Sequence, residues 1–145
     1  MAWRQGRGAE AYGRALALAS TLPWPDEPAL REVQAVLGVD PGFRQGDAHA
    51  LGRTYAWRPG LEARFFRKVA RDAREGLHPL ATGIRLYLDL VHVHPFMDGN
   101  ARAATIWLCW ALSRAGWPLP DLEAVVRLPK PPGHPRVPAL MAAVA

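Results

Sequence analysis

The chain has 145 residues, a length that predicts one domain, and its composition (50% hydrophobic, 21% charged) is typical of a globular rather than a disordered protein. No apolar run approaches the roughly 18 residues of a membrane-spanning helix, and no apolar segment follows the charged N-terminus, so we expect neither a membrane span nor a secretion signal. The single cysteine, Cys109, excludes an intrachain disulfide and a cysteine-cluster metal site, and together these features favour the cytoplasm.

The chain is basic, because 18 lysines and arginines against 13 acidic residues give a net charge of +5. Such a charge attracts phosphates, whether in nucleotides or in nucleic acid. The cations are scattered, however, and form neither a basic block nor a known nucleic-acid-reading motif. We therefore expect no nucleic-acid partner; the alternative, a basic nucleic-acid-binding protein, predicts a steep salt dependence of DNA binding.

The first half of the chain carries two helix patterns and one weak hairpin pattern. Apolar residues at helical spacing predict a helix over residues 10–20, which prolines then end. A second predicted helix begins after Asp26, a suitable N-cap, and ends at Gly38. Residues 50–57 carry β-branched and aromatic residues around a glycine, which indicates a short hairpin.

The second half carries three helix patterns. Residues 61–74 are amphipathic, and we interpret their cationic face as a solvated helix surface. Residues 79–92 and 101–115 are apolar almost all round, so both predicted helices belong in the core, and Gly116 ends the second one. The tail over residues 129–145 is rich in proline and is expected to wrap the surface.

A polar loop, residues 92–100, joins the two apolar helices, and a polar loop in that place indicates a function. Gly99 and Asn100 lie where the next helix begins, so the first backbone N–H groups of that helix lack helical acceptors. The helix dipole is positive at this end, and both features favour the binding of an anion. Arg102 adds a permanent positive charge in the first turn. The sequence therefore predicts a phosphate site here.

Other side chains of this loop carry acid–base and metal chemistry. His94 can take a proton near neutral pH, and Asp98 is the type of carboxylate that binds Mg²⁺ together with substrate phosphates. Pro95 fixes a turn, and Phe96 is expected to point into the core and hold the loop rigid. The set predicts attack of a hydroxyl on a nucleotide phosphate. An alternative is a metal site formed by His92, His94 and Asp98, although positions i and i+2 diverge on a helix.

Residues 94–102, His-Pro-Phe-Met-Asp-Gly-Asn-Ala-Arg, resemble the signature of the Fic/Doc family, H-P-F-x-D/E-G-N-G/K-R, at eight of nine positions. The resemblance covers roughly residues 43–118 of the single predicted domain, 1–145. It implies an all-α, Fic-like helical bundle with one short β-hairpin that acts as a flap near the active site. It also implies transfer of AMP from ATP to a tyrosine, threonine or serine hydroxyl of a target protein.

The resemblance implies a role for each residue that matches the motif. His94 would deprotonate the target hydroxyl, and Asp98 would hold Mg²⁺ on the nucleotide phosphates. Pro95 and Phe96 would support the loop. The groups that would cradle and neutralise the phosphates are Gly99, Asn100, Ala101 and Arg102.

The resemblance also implies that the target protein adds a strand to the hairpin. Phe43 and Arg44 and the candidate hairpin sit where the family has its target-holding flap. The flap residues expected to bind the target are Gly52, Arg53, Thr54 and Tyr55.

Two positions depart from the family pattern. Ala101 stands where glycine or lysine is usual, and its methyl group could narrow the phosphate site. Thr105 stands where the AMP-transferring branch has a second arginine that meets the γ-phosphate; the Doc branch, which transfers phosphate, also lacks this arginine. A Doc-like phosphotransferase is therefore one alternative, and a catalytically degenerate Fic fold that binds a nucleotide or a partner is another. Arg85 or Arg114 could supply the missing charge.

Regulation is the last point on which the chain differs from many relatives, which carry an inhibitory S/T-x-x-x-E-G/N helix. Glu75 and Gly76 have the right end of that pattern, but Arg71 occupies the Ser/Thr position. We therefore expect that control, if it exists, comes from a separate, antitoxin-like inhibitory protein. The protein would act in the cytoplasm, or in a host cell if it is an injected effector.

Overall fold

The computed structural model describes residues 7–50 and 52–119. This part of the chain contains five helices and one antiparallel two-stranded hairpin. The elements are α1 (Arg7–Thr21), α2 (Glu27–Val36), β1 (Ala48–Ala50), β2 (Arg53–Tyr55), α3 (Leu61–Arg74), α4 (Pro79–Val93) and α5 (Asn100–Ala115). This confirms the expected helical fold with one short hairpin, while the proline-rich tail over residues 129–145 lies outside the described residues.

Helices α4 and α5 form the centre of the molecule, as their apolar sequences predict. Trp107 and Leu108 of α5 are fully buried, and so is Leu90 of α4. The two helices approach closely at Gly83, where an added Cβ would lie 2.1 Å from the Cβ of Ala111. A six-residue segment, residues 94–99, joins them, and we call it the motif loop. The site residues are therefore held between the two best-packed helices.

The other helices pack around this pair. The Asp26 side chain accepts a hydrogen bond from the Ala29 N–H at 3.0 Å and caps α2, as predicted. The Trp110 indole N–H donates to the Leu22 carbonyl at 2.8 Å and ties α5 to the end of α1. Helix α3 buries Phe65 and other apolar residues, while its predicted cationic face is exposed at Arg64, Arg67, Arg71 and Arg74.

The hairpin differs in detail from its prediction. Its first strand begins two residues earlier, at Ala48, and the register pairs Ala48 with Tyr55 and Ala50 with Arg53. Gly52 has φ +74, a left-handed conformation that glycine adopts at no steric cost. None of the helices in the described ranges is long and apolar enough to cross a membrane.

Candidate active site

A cleft of about 630 Å³ opens between the hairpin and the motif loop. The hairpin side contributes residues 47–50 and Tyr55, and the opposite side contributes His94 and residues 97–102. Small-molecule sites commonly have volumes of roughly 300–1,000 Å³. The cleft thus brings together the candidate base, the candidate metal ligand and the start of α5, which the sequence predicts to share one site.

His94 ends α4 in the left-handed conformation, with φ +53, which no other non-glycine residue of the described chain adopts. Its Nδ1 lies 3.4 Å from the Val91 carbonyl oxygen. Because a carbonyl only accepts, a hydrogen bond at this contact requires the ring proton on Nδ1, which leaves the lone pair on Nε2. The pKa of His94 is lowered, mainly because the ring is partly buried. The Val91 hydrogen bond raises this pKa and the nearby Arg44 cation lowers it, but both effects are smaller than that of burial. The lowered pKa favours the neutral imidazole, which is the form that can take a proton at Nε2.

The start of α5 offers backbone N–H groups to an anion. Gly99 has φ +76 and provides no side-chain cap. The Ala103 N–H makes the bond to the Gly99 carbonyl, at 2.9 Å, so the N–H groups of residues 100–102 precede the helical ladder. Ala101 is exposed, and its methyl group does not press on the packed side chains beneath the loop. Backbone donors and the helix dipole together give this helix start the chemistry that binds a phosphate oxygen in other proteins.

The Asn100 side chain holds the motif loop closed. Its Oδ1 accepts from the Phe96 N–H at 3.0 Å, and its Nδ2 donates to the Phe96 carbonyl at 2.8 Å. Phe96 is fully buried, as predicted, and pairs with Phe43 in an isolated β-bridge. The side chain of Asn100 is buried and committed to this loop, so its backbone N–H is the group that it offers to a phosphate.

Asp98 lies at the mouth of the cleft with 74% of its side chain exposed. Its Oδ1 accepts from the Gly99 N–H at 2.7 Å, and its Oδ2 pairs with Arg102 at 3.2 Å. Among the described residues, no group of three or more His, Cys, Asp or Glu side chains could hold a metal ion, so the alternative site that includes His92 is not formed. One exposed carboxylate does fit the way Mg²⁺ binds, with a single protein oxygen plus substrate phosphates and water.

Arg44 is a site residue whose position the sequence does not reveal. It is 2% exposed and lies beneath the flap rather than within it, which corrects the expectation for Phe43 and Arg44. Its guanidinium donates to the carbonyls of Val93 (2.9 Å), His94 (2.6 Å), Gly46 (2.7 Å) and Ala56 (3.3 Å), and its N–H donates to the Pro95 carbonyl (2.9 Å). A single buried side chain thus joins the motif loop to the base of the hairpin.

Gln34 of α2 is a second residue that sequence reasoning missed. It is fully buried, and its Nε2 donates to the Asp98 carbonyl at 3.0 Å. An added Cβ on Gly99 would lie 3.2 Å from both this Nε2 and the Val39 Cγ2. Gln34 and Val39 thus support the backbone of the motif loop at Asp98 and Gly99. In the sequence, the one feature that indicates this role is a glutamine on the apolar side of an amphipathic helix.

Neither Thr105, which stands at the position of the missing arginine, nor the two suggested replacements bring a further cation into the cleft. Thr105 is buried, and its hydroxyl makes 2.9 Å hydrogen bonds to the Tyr12 hydroxyl and to the Arg102 carbonyl. Arg85 pairs with Asp72, and Arg114 donates to the Leu22 carbonyl, so neither lines the cleft, and the idea that one of them replaces the missing arginine is wrong. Of the four predicted flap residues, Tyr55 lines the cleft, while Gly52, Arg53 and Thr54 are exposed on the hairpin.

Comparison with known proteins gives three results. The model of the Fic/DOC family matches residues 23–112. Proteins named protein adenylyltransferase Fic from Drosophila persimilis and Drosophila melanogaster are each 38% identical over 58 residues. That segment is 40% of this chain but only 11% and 12% of the two relatives, so the match spans about a tenth of their length.

Among solved structures, a Fic domain containing signaling protein from Bacteroides thetaiotaomicron superposes with a TM-score of 0.60 at 19% identity, covering 81% of this chain and 54% of that one. This likeness supports the fold. Since the family model covers more than half of the residues, the chain belongs to the Fic/DOC family.

Proposed function

We propose that this protein transfers AMP from ATP to a hydroxyl side chain of a target protein. The observation that carries the proposal is that the His94 imidazole and the first residues of α5, whose N–H groups precede the helical ladder, line one cleft of nucleotide size. The name of the Drosophila relatives, protein adenylyltransferase, supports this activity.

In the proposed reaction, the phosphates of ATP bind at residues 99–102, where the N–H groups and the Arg102 guanidinium stabilise negative charge. Asp98 would hold Mg²⁺, which supplies further neutralisation of the phosphates when bound. Nε2 of His94 takes the proton of the target hydroxyl, and the hydroxyl oxygen forms a bond to the α-phosphorus. The bond from the α-phosphorus to its bridging oxygen breaks, and pyrophosphate leaves.

Transfer of the γ-phosphate is the second candidate, because Thr105 is bonded to Tyr12 and provides no second cation in the first turns of α5. In that reaction the hydroxyl oxygen attacks the γ-phosphorus, and ADP leaves. The same base and the same N–H groups serve both reactions, so the two reactions differ in which phosphorus lies next to the attacking hydroxyl.

The target is proposed to be a protein that adds a strand at the exposed hairpin residues Gly52, Arg53 and Thr54. Regulation is proposed to come from a separate inhibitory protein, since the chain has no glutamate in the inhibitory pattern. Activity of the purified chain on its target that equals its activity in cells would remove the need for such a partner.

The decisive experiment uses ATP labelled at the α-phosphate in one reaction and at the γ-phosphate in another, with cell lysate as the source of targets. Label on protein from the α-position alone supports AMP transfer, and label from the γ-position alone supports phosphotransfer. His94→Ala is the control that should lose either label. If neither label transfers while ATP with Mg²⁺ still raises the melting temperature, the chain only binds nucleotide and the proposal fails.

A further inference from the structure

The Tyr55 ring lies flat against the His94 ring. Their centroids are 3.9 Å apart, and their planes differ by 18°. Tyr55 is the last residue of β2 and pairs with Ala48 across the hairpin. The contact therefore joins the flap to the candidate base across the cleft that both residues line.

The backbones on both sides of this stack are tied to one buried group. The Arg44 Nε donates to the His94 carbonyl at 2.6 Å, and its Nη2 donates to the carbonyl of Ala56, the residue after Tyr55, at 3.3 Å. A guanidinium is planar and rigid, so it fixes the separation of the two segments that it joins. The base of the hairpin is closed by a further bond, from the Trp57 N–H to the Asp47 carboxylate at 2.7 Å.

The His94 ring needs such support. Its hydrogen bond to the Val91 carbonyl is long, at 3.4 Å, and one long bond leaves the ring free to turn. A general base transfers a proton only when its lone pair points at the reacting group. Stacking on an aromatic ring restricts the plane of the imidazole and leaves its edge, where Nε2 lies, open.

We propose that Tyr55 is a positioning residue for the His94 base: its ring holds the imidazole plane so that Nε2 faces the cleft, and Arg44 sets the distance between the two backbones. The catalytic part of this inference rests on the proposed transferase function, whereas the stack itself does not. Because the Nε2 lone pair lies in the plane of the ring, the target hydroxyl must approach in that plane, at the edge that Tyr55 leaves uncovered.

The test combines NMR of the protein carrying ¹³C,¹⁵N-labelled histidine with transfer kinetics, for Tyr55→Leu and Tyr55→Phe. In Tyr55→Leu we expect the His94 ring protons to lose their ring-current shift, and the pKa of His94 to rise towards its ordinary value as water reaches the ring. The charged and titratable groups around this cleft, which stay constant in both variants, are Arg44, Asp47, His49, Asp98 and Arg102.

The kinetic expectation is a fall in kcat of roughly tenfold in Tyr55→Leu with little change in KM for ATP, since misplacing a base costs rate rather than phosphate binding. The acidic limb of the rate profile should move to higher pH. Tyr55→Phe, which keeps the ring, should restore both the resonance and the rate. An equal melting temperature shows that both variants are folded.

Unchanged His94 resonances in Tyr55→Leu would overturn the stack, and a higher kcat would show that Tyr55 obstructs the base instead of positioning it. If the wild-type chain transfers no label, the proposed function fails separately. The resonances then still decide whether Tyr55 holds the His94 ring.

Discussion

Two polar clusters in the described part of the chain lie next to α4. They differ in how many of their hydrogen-bonding groups face a cleft and how many are paired within the cluster. The motif loop leaves an imidazole nitrogen and several N–H groups open to a cleft of about 630 Å³, and its carboxylate, which pairs with Arg102, is 74% exposed at the mouth of that cleft. The second cluster, which we call the Asp72 cluster, lies between α3 and α4 beside a void of about 10 Å³. Its members are Lys68, Asp72, Arg85 and Asp89.

Every charge in the Asp72 cluster has a partner within the cluster. Asp72 is buried and accepts from Lys68 at 3.1 Å and from two nitrogens of Arg85 at 3.1 and 2.8 Å. Lys68 also donates to Asp89. Burial raises the pKa of Asp89 even though Lys68 lowers it, which shows the cost of holding charge between helices. A polar cluster whose groups all pair with one another indicates a structural role. A cluster whose donors and acceptors face a cleft indicates a role in binding or catalysis.

The largest effect is expected for a substitution of His94, which should reduce activity strongly and stability only slightly. His94→Ala should lower label transfer by roughly 10³-fold, because a positioned general base contributes about that factor. The free energy of unfolding should fall by only about 1 kcal/mol, since the ring is not fully buried, although it loses its stack on Tyr55 and alanine must adopt the same left-handed backbone. Urea unfolding and label transfer measure the two quantities. A loss of several kcal/mol would place His94 with the structural cluster instead.

Asp72→Ala should show the opposite behaviour. Removing the buried carboxylate leaves Lys68 and Arg85 without their shared partner, and breaking such a pair costs about 3 kcal/mol when the remaining charge is buried. Lys68 and Arg85 are 36% and 41% exposed and can turn to water, so we expect a loss of about 2 kcal/mol in urea unfolding. The affinity for ATP, measured by calorimetry, should not change.

A matched control for this variant is Glu75→Ala, which removes the exposed partner of Arg71 at 3.6 Å. Exposed pairs contribute little, so the loss should stay within about 0.5 kcal/mol. Equal losses in the two variants would contradict the distinction between the buried cluster and the surface pair.

The sequence predicts those features whose contacts are local along the chain, and it does not predict those whose partners are distant in sequence. Local periodicity predicts α3 at its observed bounds and Trp107 as a core residue. The motif residues are contiguous, so they too can be recognised in the sequence. Arg44 and Gln34 cannot, because their partners are loop carbonyls 50 and 64 residues away, at His94 and Asp98. A buried arginine held by carbonyls has the same sequence appearance as an exposed one.

The support beneath the motif loop can be tested at Gly99. An alanine there must adopt φ +76, and its Cβ would lie 3.2 Å from Gln34 Nε2 and Val39 Cγ2. We expect a loss of about 1–2 kcal/mol in the free energy of unfolding, because both the backbone and the contact are unfavourable. The affinity for ATP should fall, since any shift of the loop moves the N–H groups. Thermal unfolding and calorimetry measure both.

Gly38→Ala is the matched control, because Gly38 has nearly the same φ of +79 but nothing lies within 4 Å of an added Cβ. This variant isolates the backbone cost of about 1 kcal/mol and should leave ATP affinity unchanged. If the two variants behaved alike, the packing of Gln34 and Val39 would contribute nothing to the loop.

The smallest effect is expected at Ala101, where the family has glycine or lysine. Ala101→Gly removes a methyl group that is exposed and lies in the first turn of α5. Glycine costs up to about 1 kcal/mol within a helix, so the variant should be slightly less stable. In the proposed site the phosphates bind to backbone N–H groups, which the substitution leaves in place, so ATP affinity should change by less than about threefold, or roughly 0.6 kcal/mol. A gain of tenfold or more in calorimetry would instead show that the methyl group narrows the phosphate site.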